Sequence, residues 1–333
     1  MPRRPKGQHF LLTSAARTLS LATVMRLSPR EAETLFAAIR WSATGGRPVC
    51  PGCACDAVYD CRRATGAPRW RCKACRKDFS LTSGTLFAFH KLPLVLYLAA
   101  IVIFVNEVKG KSALALSRDL GVQYKTAFVL AHKIREAMAA EMKGGLIGGA
   151  GRTVEVDGCY VGGHIRPENE KKDRKDRRLS ENQSGKRRVV VALRERGGRT
   201  LTSVFKSEAA AVAFIKARVD GATTVHADEA ADWNALHATF DTKRINHQDA
   251  YSLDGACTNG AESFFSRLRR GENGHHHHIS GVYLACYARE AAFREDHRRS
   301  ANGEQLRTVI GLVAKNGPSV DFCGYWQRGR RAA

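Results

Sequence analysis

Apolar positions recur every three to four residues soon after the start of the chain. Ser28-Pro29-Arg30-Glu31 reads as a capping box with proline at the first helical position, and Ala32, Leu35, Phe36 and Ile39 follow on one face. A helical leader over residues 1–45 is expected. Residues 49–79 lose this period and become rich in turn residues and cysteine. Helical spacing resumes after Thr82-Ser83-Gly84-Thr85 and runs to about Met142, and Leu92 to Val105 is an uncharged apolar run of 14 residues. A membrane span needs ~20 residues, so this run predicts a buried core helix and no membrane partner. Lys143 to Arg152 contains five glycines and reads as a linker. The pattern then becomes strand-like at Thr153 to Asp157, Tyr160 to Gly162, Arg188 to Leu193, Leu201 to Val204 and Thr223 to His226, with a helix between Glu208 and Ala217.

Within the helical stretch, Ser112 to Leu120 is followed by Gly121-Val122 and then Gln123-Tyr124-Lys125-Thr126-Ala127. Glycine at the turn and polar residues opening the second segment resemble a helix-turn-helix. In that geometry Gln123, Tyr124 and Lys125 face a DNA groove, while Leu116, Leu120, Ala127 and Leu130 pack inward. An ordinary helical hairpin with a solvated polar end is the plainer reading.

Composition sharpens the partner. The 333 residues are 44% hydrophobic and 26% charged, an ordinary globular balance, but 54 Lys+Arg against 32 Asp+Glu leave a net charge of +22. Such an excess points to a polyanion, nucleic acid first, although a merely solubilising basic surface gives the same number. The apolar stretch Phe10-Leu11-Leu12 is too short for a signal peptide core, so the protein is expected to stay inside the cell. There, thiols remain reduced, and six of the ten cysteines crowd between Cys50 and Cys75.

Cys50-Pro51-Gly52-Cys53 and Cys72-Lys73-Ala74-Cys75 are two C-x2-C pairs with 18 residues between them, the spacing of a four-cysteine zinc ribbon. Four cysteine ligands leave no open position, so the zinc is expected to be structural. Cys55 and Cys61 are spare.

Acids end two apolar strands, Asp157 in Val154-Glu155-Val156-Asp157-Gly158 and Asp228 in Thr223-Thr224-Val225-His226-Ala227-Asp228. Glu262 opens an amphipathic helix in Asn259-Gly-Ala-Glu-Ser-Phe-Phe-Ser-Arg-Leu-Arg-Arg270. Three acids from distant segments suit a two-metal site for phosphoryl transfer, with Mg2+ or Mn2+ held by oxygen ligands. Each acid also has a plainer reading: Asp157 as a turn residue before Gly158, Asp228 as a cap for the helix entering Trp233, Glu262 as a capping-box partner. Asn259 is a second candidate for the third ligand, and Glu155 shares a strand face with Asp157.

With 33 residues between Asp228 and Glu262 and a basic residue, Arg269, seven positions after the glutamate, the chain resembles the DDE transposases of bacterial insertion sequences. More narrowly it resembles insertion-sequence family fifteen-ninety-five, the ISXO two-like group with an amino-terminal zinc ribbon. The cysteine pairs, Thr82-Ser83-Gly84-Thr85-Leu86-Phe87, the V-E-V-D-G strand, T-N-G-A-E-S-F-F-S-R-L-R-R, and Gly274-His-His-His-His-Ile-Ser280 leading into Tyr283-Leu284 and Arg289-Glu290 carry the likeness. His297 stands where the group has an asparagine.

The resemblance implies a multidomain α/β protein: leader 1–45, zinc ribbon 46–85, helix-turn-helix segment 86–145, an RNase-H-like catalytic domain over 146–300 with a mixed sheet flanked by helices, and a basic tail over 301–333. It implies Asp157, Asp228 and Glu262 as the catalytic triad, with Gln123, Tyr124, Lys125 and Arg269 on DNA. The implied partners are the element's terminal inverted repeats, target DNA and further copies of the chain on paired ends. A cytoplasmic, nucleoid-associated setting is expected. A catalytically inactive DNA-binding derivative, or a nuclease without strand transfer, would share most of these features. His275 to His278 is expected to form a loop near the active site or DNA. The segment from Arg166 to Arg188, with ten basic and five acidic residues, is expected to be a DNA-contacting hairpin, with a merely solvated loop as the plainer reading.

Overall fold

The computed structural model describes residues 9–89, 91–162, 168–176, 182, 185–246, 252 and 255–328. These form two units, one of Met1–Glu141 with His297–Ala333 and the other of Met142–Asp296.

The first unit begins with helices α1 (Leu21–Met25) and α2 (Pro29–Arg40). The expected capping box starts α2: the Ser28 hydroxyl accepts from the Glu31 amide at 3.3 Å, and the Glu31 carboxylate accepts from the Ser28 amide at 2.8 Å. Strands β1 (Val58–Asp60), β2 (Trp70–Cys72) and β3 (Asp78–Phe79) form an antiparallel sheet in that order. Trp70 and Cys72 alternate with exposed Arg71, so one face is dry, and Trp70 meets Trp41 edge-on at 5.4 Å. Helix α3 (Leu94–Asn106) is buried from Tyr97 to Val105, which explains its lack of a polar face. No helix among the described residues is long and apolar enough to cross a membrane.

Two further helices follow, α4 (Ala113–Leu120) and α5 (Tyr124–Ala140). The Ser112 hydroxyl caps α4 by accepting from the Ala115 amide at 3.1 Å, and Gly121 ends it with φ of 63°, a conformation that favours glycine. Leu116, Leu120, Ala127 and Leu130 are buried, while Gln123, Tyr124 and Lys125 are exposed at the start of α5.

The second unit is built on strands β4 (Thr153–Val161), β5 (Arg188–Glu195) and β6 (Thr200–Phe205), then helix α6 (Val212–Arg218), β7 (Thr224–Asp228), β8 (Asp241–Ile245), α7 (Asn259–Gly271) and α8 (Leu284–Asp296). The sheet order is β6-β5-β4-β7-β8. The first three strands pair antiparallel, whereas β4 with β7 and β7 with β8 are parallel. Val189 to Leu193 is buried throughout, as expected of a strand covered on both faces.

Two strand expectations need correction. The sequence reading breaks the chain at Gly158, but β4 runs unbroken from Thr153 to Val161, so Asp157 lies inside a strand and is not a turn residue. Gly158 is present for space: a Cβ there would run into the Glu208 carboxylate. Strand β8 was not foreseen, because Asp-Thr-Lys-Arg-Ile carries one strongly apolar residue and reads as polar loop. It is an edge strand, where exposed charge is tolerated.

The chain then returns to the first unit as α9 (Asn302–Lys315) and α10 (Tyr325–Arg328). Leu306, Val309, Ile310 and Val313 are buried, and α9 packs on α2, α3 and α5. Asn302 ties its start to Leu19, accepting from the Leu19 amide at 2.9 Å and donating to its carbonyl at 2.6 Å. Residues 301–333, expected as a tail, therefore contain a helix belonging to the amino-terminal unit's core. His297 meets the Glu141 carboxylate at 2.9 Å in that same unit.

Candidate active site and metal centre

The parallel ladder of β4 and β7 pairs Val154 with Val225 and Val156 with Ala227. The next residues on each strand are Asp157 and Asp228, so the register sets the two acids side by side on one sheet face. The consequence is electrostatic. Burial first, and then the charge of Asp228, pushes the Asp157 carboxyl up to about 7, against the opposing pull of the Gly158 amide, which donates to it at 2.7 Å. Glu262 and Glu208 add smaller contributions of the same sign.

Asp228 stands where β7 ends, and its carboxylate accepts from the Ala230 amide at 3.2 Å. Arg244 on β8 braces the following turn, donating to the carbonyl of Ala230 at 2.7 Å and to Asn234 at 2.9 Å. The helical turn over Ala231–Leu236 starts after Ala230 with no side-chain cap, so Asp228 closes the turn before it and does not cap it. One carboxylate oxygen serves the turn, and the side chain still bears on Asp157.

Glu262 belongs to the first turn of α7, but the expected capping box does not form. Thr258 is the residue before the helix, no side-chain cap from it is made, and Asn259 is the first helical residue. Asn259 is exposed. Seven residues is about two helical turns, so Arg269 lies on the same side of α7 as Glu262. Its Nε donates to the sulfur of Cys159 at 3.0 Å, two positions beyond Asp157 on β4.

Sequence reasoning missed Glu208, three residues past the end of β6. Its carboxyl is also pushed up to about 7, by burial first and then by Asp228 and Asp232, with Arg187 opposing. No local motif marks it. The available signal was Gly158, a glycine within a strand that implies something close above it.

In the other unit, the sulfurs of Cys50, Cys53, Cys72 and Cys75 all lie within 4.8 Å of one another. Cys50 and Cys75 are 3.6 Å apart and Cys53 and Cys72 3.5 Å, close to the spacing of about 3.8 Å that tetrahedral Zn–S bonds of ~2.3 Å require. The Cys72 thiol is drawn down to about 6, chiefly by the donating Cys75 amide, which favours the thiolate that binds metal. The donor set fits one structural zinc. Cys55 and Cys61 stand outside this group, and Cys55 donates weakly to the Ala57 carbonyl at 3.7 Å. Among the described residues this is the one set of three or more such ligands gathered so tightly, so the carboxylates are spread more widely than a single-ion cage.

Tyr124 and Lys125 share the start of α5 with the carboxy-terminal aromatics. The Lys125 ammonium lies 5.3 Å from the Trp326 ring centre, and the Trp326 indole donates to the Lys125 carbonyl at 3.3 Å. The histidine run continues from α7 as a wide helical turn over Glu272–His276, with His276 edge-on to Tyr287 at 4.7 Å. Much of the expected basic hairpin between Arg166 and Arg188 lies outside the described residues.

Comparison with known proteins agrees with this division. Residues 147–296 match the ISXO2-like transposase domain, and residues 27–78 match the transposase zinc-ribbon domain. A protein in the transposable element ISH50 of Halobacterium salinarum is 24% identical over 297 residues, covering 85% of this chain and 96% of its own length. No solved structure matches the chain. The chain thus carries a transposase zinc-ribbon domain followed by an ISXO2-like transposase domain, and it is similar over most of its length to a protein from a transposable element.

Proposed function

We propose that this transposase cuts and joins DNA at Asp157, Asp228 and Glu262, by two-metal phosphoryl transfer on an RNase-H-like sheet. The observation that carries the reading is the ladder register that sets Asp157 beside Asp228, with Glu262 brought within electrostatic reach of Asp157. The sheet supports it: three antiparallel strands followed by two parallel ones, with the first strand of the unit central, is the arrangement expected of an RNase-H-like domain.

The donor set fits hard divalent cations. Carboxylate oxygens suit Mg2+ or Mn2+, and a buried Asp157 raised by its acidic neighbours is a cluster whose repulsion positive charge would relieve. Asp157, Asp228 and Glu262 are the residues that would hold the ions. Bound there, the ions would activate the attacking oxygen and stabilise the leaving one. The chain's own part is placement: the sheet fixes two carboxylates, α7 presents the third, and Arg269 supplies positive charge for a phosphate. Water attacks the phosphodiester at the element end and its 3′ oxygen leaves as a hydroxyl; that hydroxyl then attacks a target phosphodiester at the same site, and the target strand's own 3′ oxygen leaves.

In the amino-terminal unit, α4, the Gly121 turn and α5 serve as a helix-turn-helix, with Gln123, Tyr124 and Lys125 on the terminal repeats beside a zinc-stabilised ribbon. A copy reduced to DNA binding would be expected to lack an acid or a ribbon cysteine, and all seven are present. Precut element ends with target DNA and Mn2+ test the proposal. Joined products support it, cleavage without joining indicates a nuclease, and binding without either indicates an inactive derivative.

A further inference from the structure

Behind the acids, Glu155 makes contacts that the proposed chemistry does not use. It lies two positions before Asp157 on the same face of β4 and is 2% exposed. One carboxylate oxygen accepts from the Ala261 amide, the residue before Glu262, at 2.9 Å, and the other accepts from Arg196 Nε, also at 2.9 Å. The same Arg196 reaches the Cys257 carbonyl at 3.1 Å and Nδ1 of His226 at 3.0 Å, while the Cys257 amide donates to that nitrogen at 3.2 Å. Side chains of β4 and β7, with Arg196 just after β5, therefore grip the backbone over residues 257–261.

We infer that Glu155 is a positioning residue, whose carboxylate takes the place of the missing side-chain cap on α7 and thereby sets the distance from Glu262 to Asp157. The first amides of a helix have no partner within the helix, and this end carries partial positive charge that a carboxylate satisfies. A carboxylate this deeply buried requires its own counter-charge, which Arg196 provides. Both oxygens are thus committed, which removes Glu155 from the set of metal ligands and gives it a share in arranging them. Gly260 makes the approach possible: a Cβ there would lie 2.7 Å from the Glu155 oxygen and 3.4 Å from the Arg194 side chain. The rung holding Glu155 lies two residues below Asp157, and the amide it holds is one residue from Glu262, so small displacements of the clamp pass directly into the spacing of the acids.

The inference rests on the proposed triad, and full-length protein separates the two. Strand transfer with precut ends would be followed as a function of Mn2+ concentration for wild type, Glu155→Ala, Glu155→Gln, Gly260→Ala and Glu262→Gln, with binding to end DNA and thermal unfolding measured alongside. Loss of a partner that orients metal ligands typically costs ~10- to 100-fold in metal affinity or activity, so Glu155→Ala should raise the half-saturating Mn2+ concentration by roughly 10-fold or more while DNA binding persists. Glu155→Gln keeps an oxygen for the Ala261 amide and should recover most of that shift. Gly260→Ala, which leaves Glu155 in the chain but displaces it, should shift Mn2+ dependence in the same direction and decides the matter if Glu155→Ala does not fold. Wild-type Mn2+ dependence in both Glu155→Ala and Gly260→Ala would overturn the clamp, as would equal, unrescued loss in Glu155→Ala and Glu155→Gln at every Mn2+ concentration, the mark of a ligand. Activity in Glu262→Gln would instead overturn the triad.

Discussion

The sulfur of Cys159 accepts a hydrogen bond from Arg269 Nε at 3.0 Å, joining the strand that carries Asp157 to the helix that carries Glu262. A guanidinium held this way has a fixed place beside the acids and still has donors for a phosphate oxygen. Arg269→Ala should slow cleavage and joining by about 10- to 100-fold in single-turnover assays. Arg269→Lys should restore part of the rate, because an ammonium keeps the charge but loses the planar fork.

For the acids, Asp157→Asn, Asp228→Asn and Glu262→Gln should each abolish cleavage and joining while end binding remains. Gel shifts and product analysis on the same preparations check this. Joining by Glu262→Gln at wild-type rate would shift the third role to Asn259.

The pH dependence of metal-free protein follows from the raised carboxyls. Asp157 and Glu208 are both pushed up to about 7, above their unfolded values of about 4, so the folded state holds more protons between those limits. Stability should therefore be highest at the acid end of that window, fall as pH rises from about 4 to 7, and level off above. Asp157→Asn should flatten part of the slope and stabilise metal-free protein at pH 8 by roughly 1 to 2 kcal/mol, after discounting for solvent and for coupling between the acids. Excess Mg2+ should remove the difference. Denaturant melts at pH 5 and pH 8, with chelator or Mg2+, would show it.

Purified protein should contain about one zinc per chain. Cys72→Ser should lose the metal along with specific end binding, and Cys55→Ser should retain both. Equal zinc loss in the two variants would refute the ligand set.

On the DNA side, Lys125→Ala should weaken end and random DNA alike and lower the salt slope by about one. Gln123→Ala should relax discrimination at one or two base pairs by roughly 1 to 3 kcal/mol. Titrations at two salt concentrations with end and scrambled duplexes distinguish them.

The carboxy-terminal helix gives a stability test. Ile310 on α9 is fully buried in the amino-terminal unit, so Ile310→Ala should cost about 2 to 5 kcal/mol, and a chain ending at residue 296 should bind zinc but lose end recognition.

Local chemistry made much of this legible in the sequence. Two cysteine pairs at a fixed spacing can reach one point whatever surrounds them, and their four sulfurs do lie within 4.8 Å of one another. The capping box at Ser28 and the glycine stop at Gly121 act through their own turns, and both formed as read. The long apolar run at Leu92 was too short for a membrane and became a buried helix.

The remainder depended on what the chain folds against. Asp157 looked like a turn residue because its glycine neighbour looked like a turn, and the space that Gly158 leaves is filled by Glu208 from a segment fifty residues later. Glu262 looked like a capping residue because Asn259 precedes it by three, but the helix begins one residue earlier than that pattern needs and Glu155 satisfies its first turn from β4. Residues 301–333 read as a tail although Leu306, Val309, Ile310 and Val313 have helical spacing, and nothing along the chain says that their partners are α2, α3 and α5, more than 150 residues upstream. The sequence by itself determined the thiol cluster, the helix stops and the inventory of acids, since those follow from spacing along the chain. Which acids meet, and what holds them there, was decided by strand register and helix packing, because contacts between distant segments leave no period in the sequence.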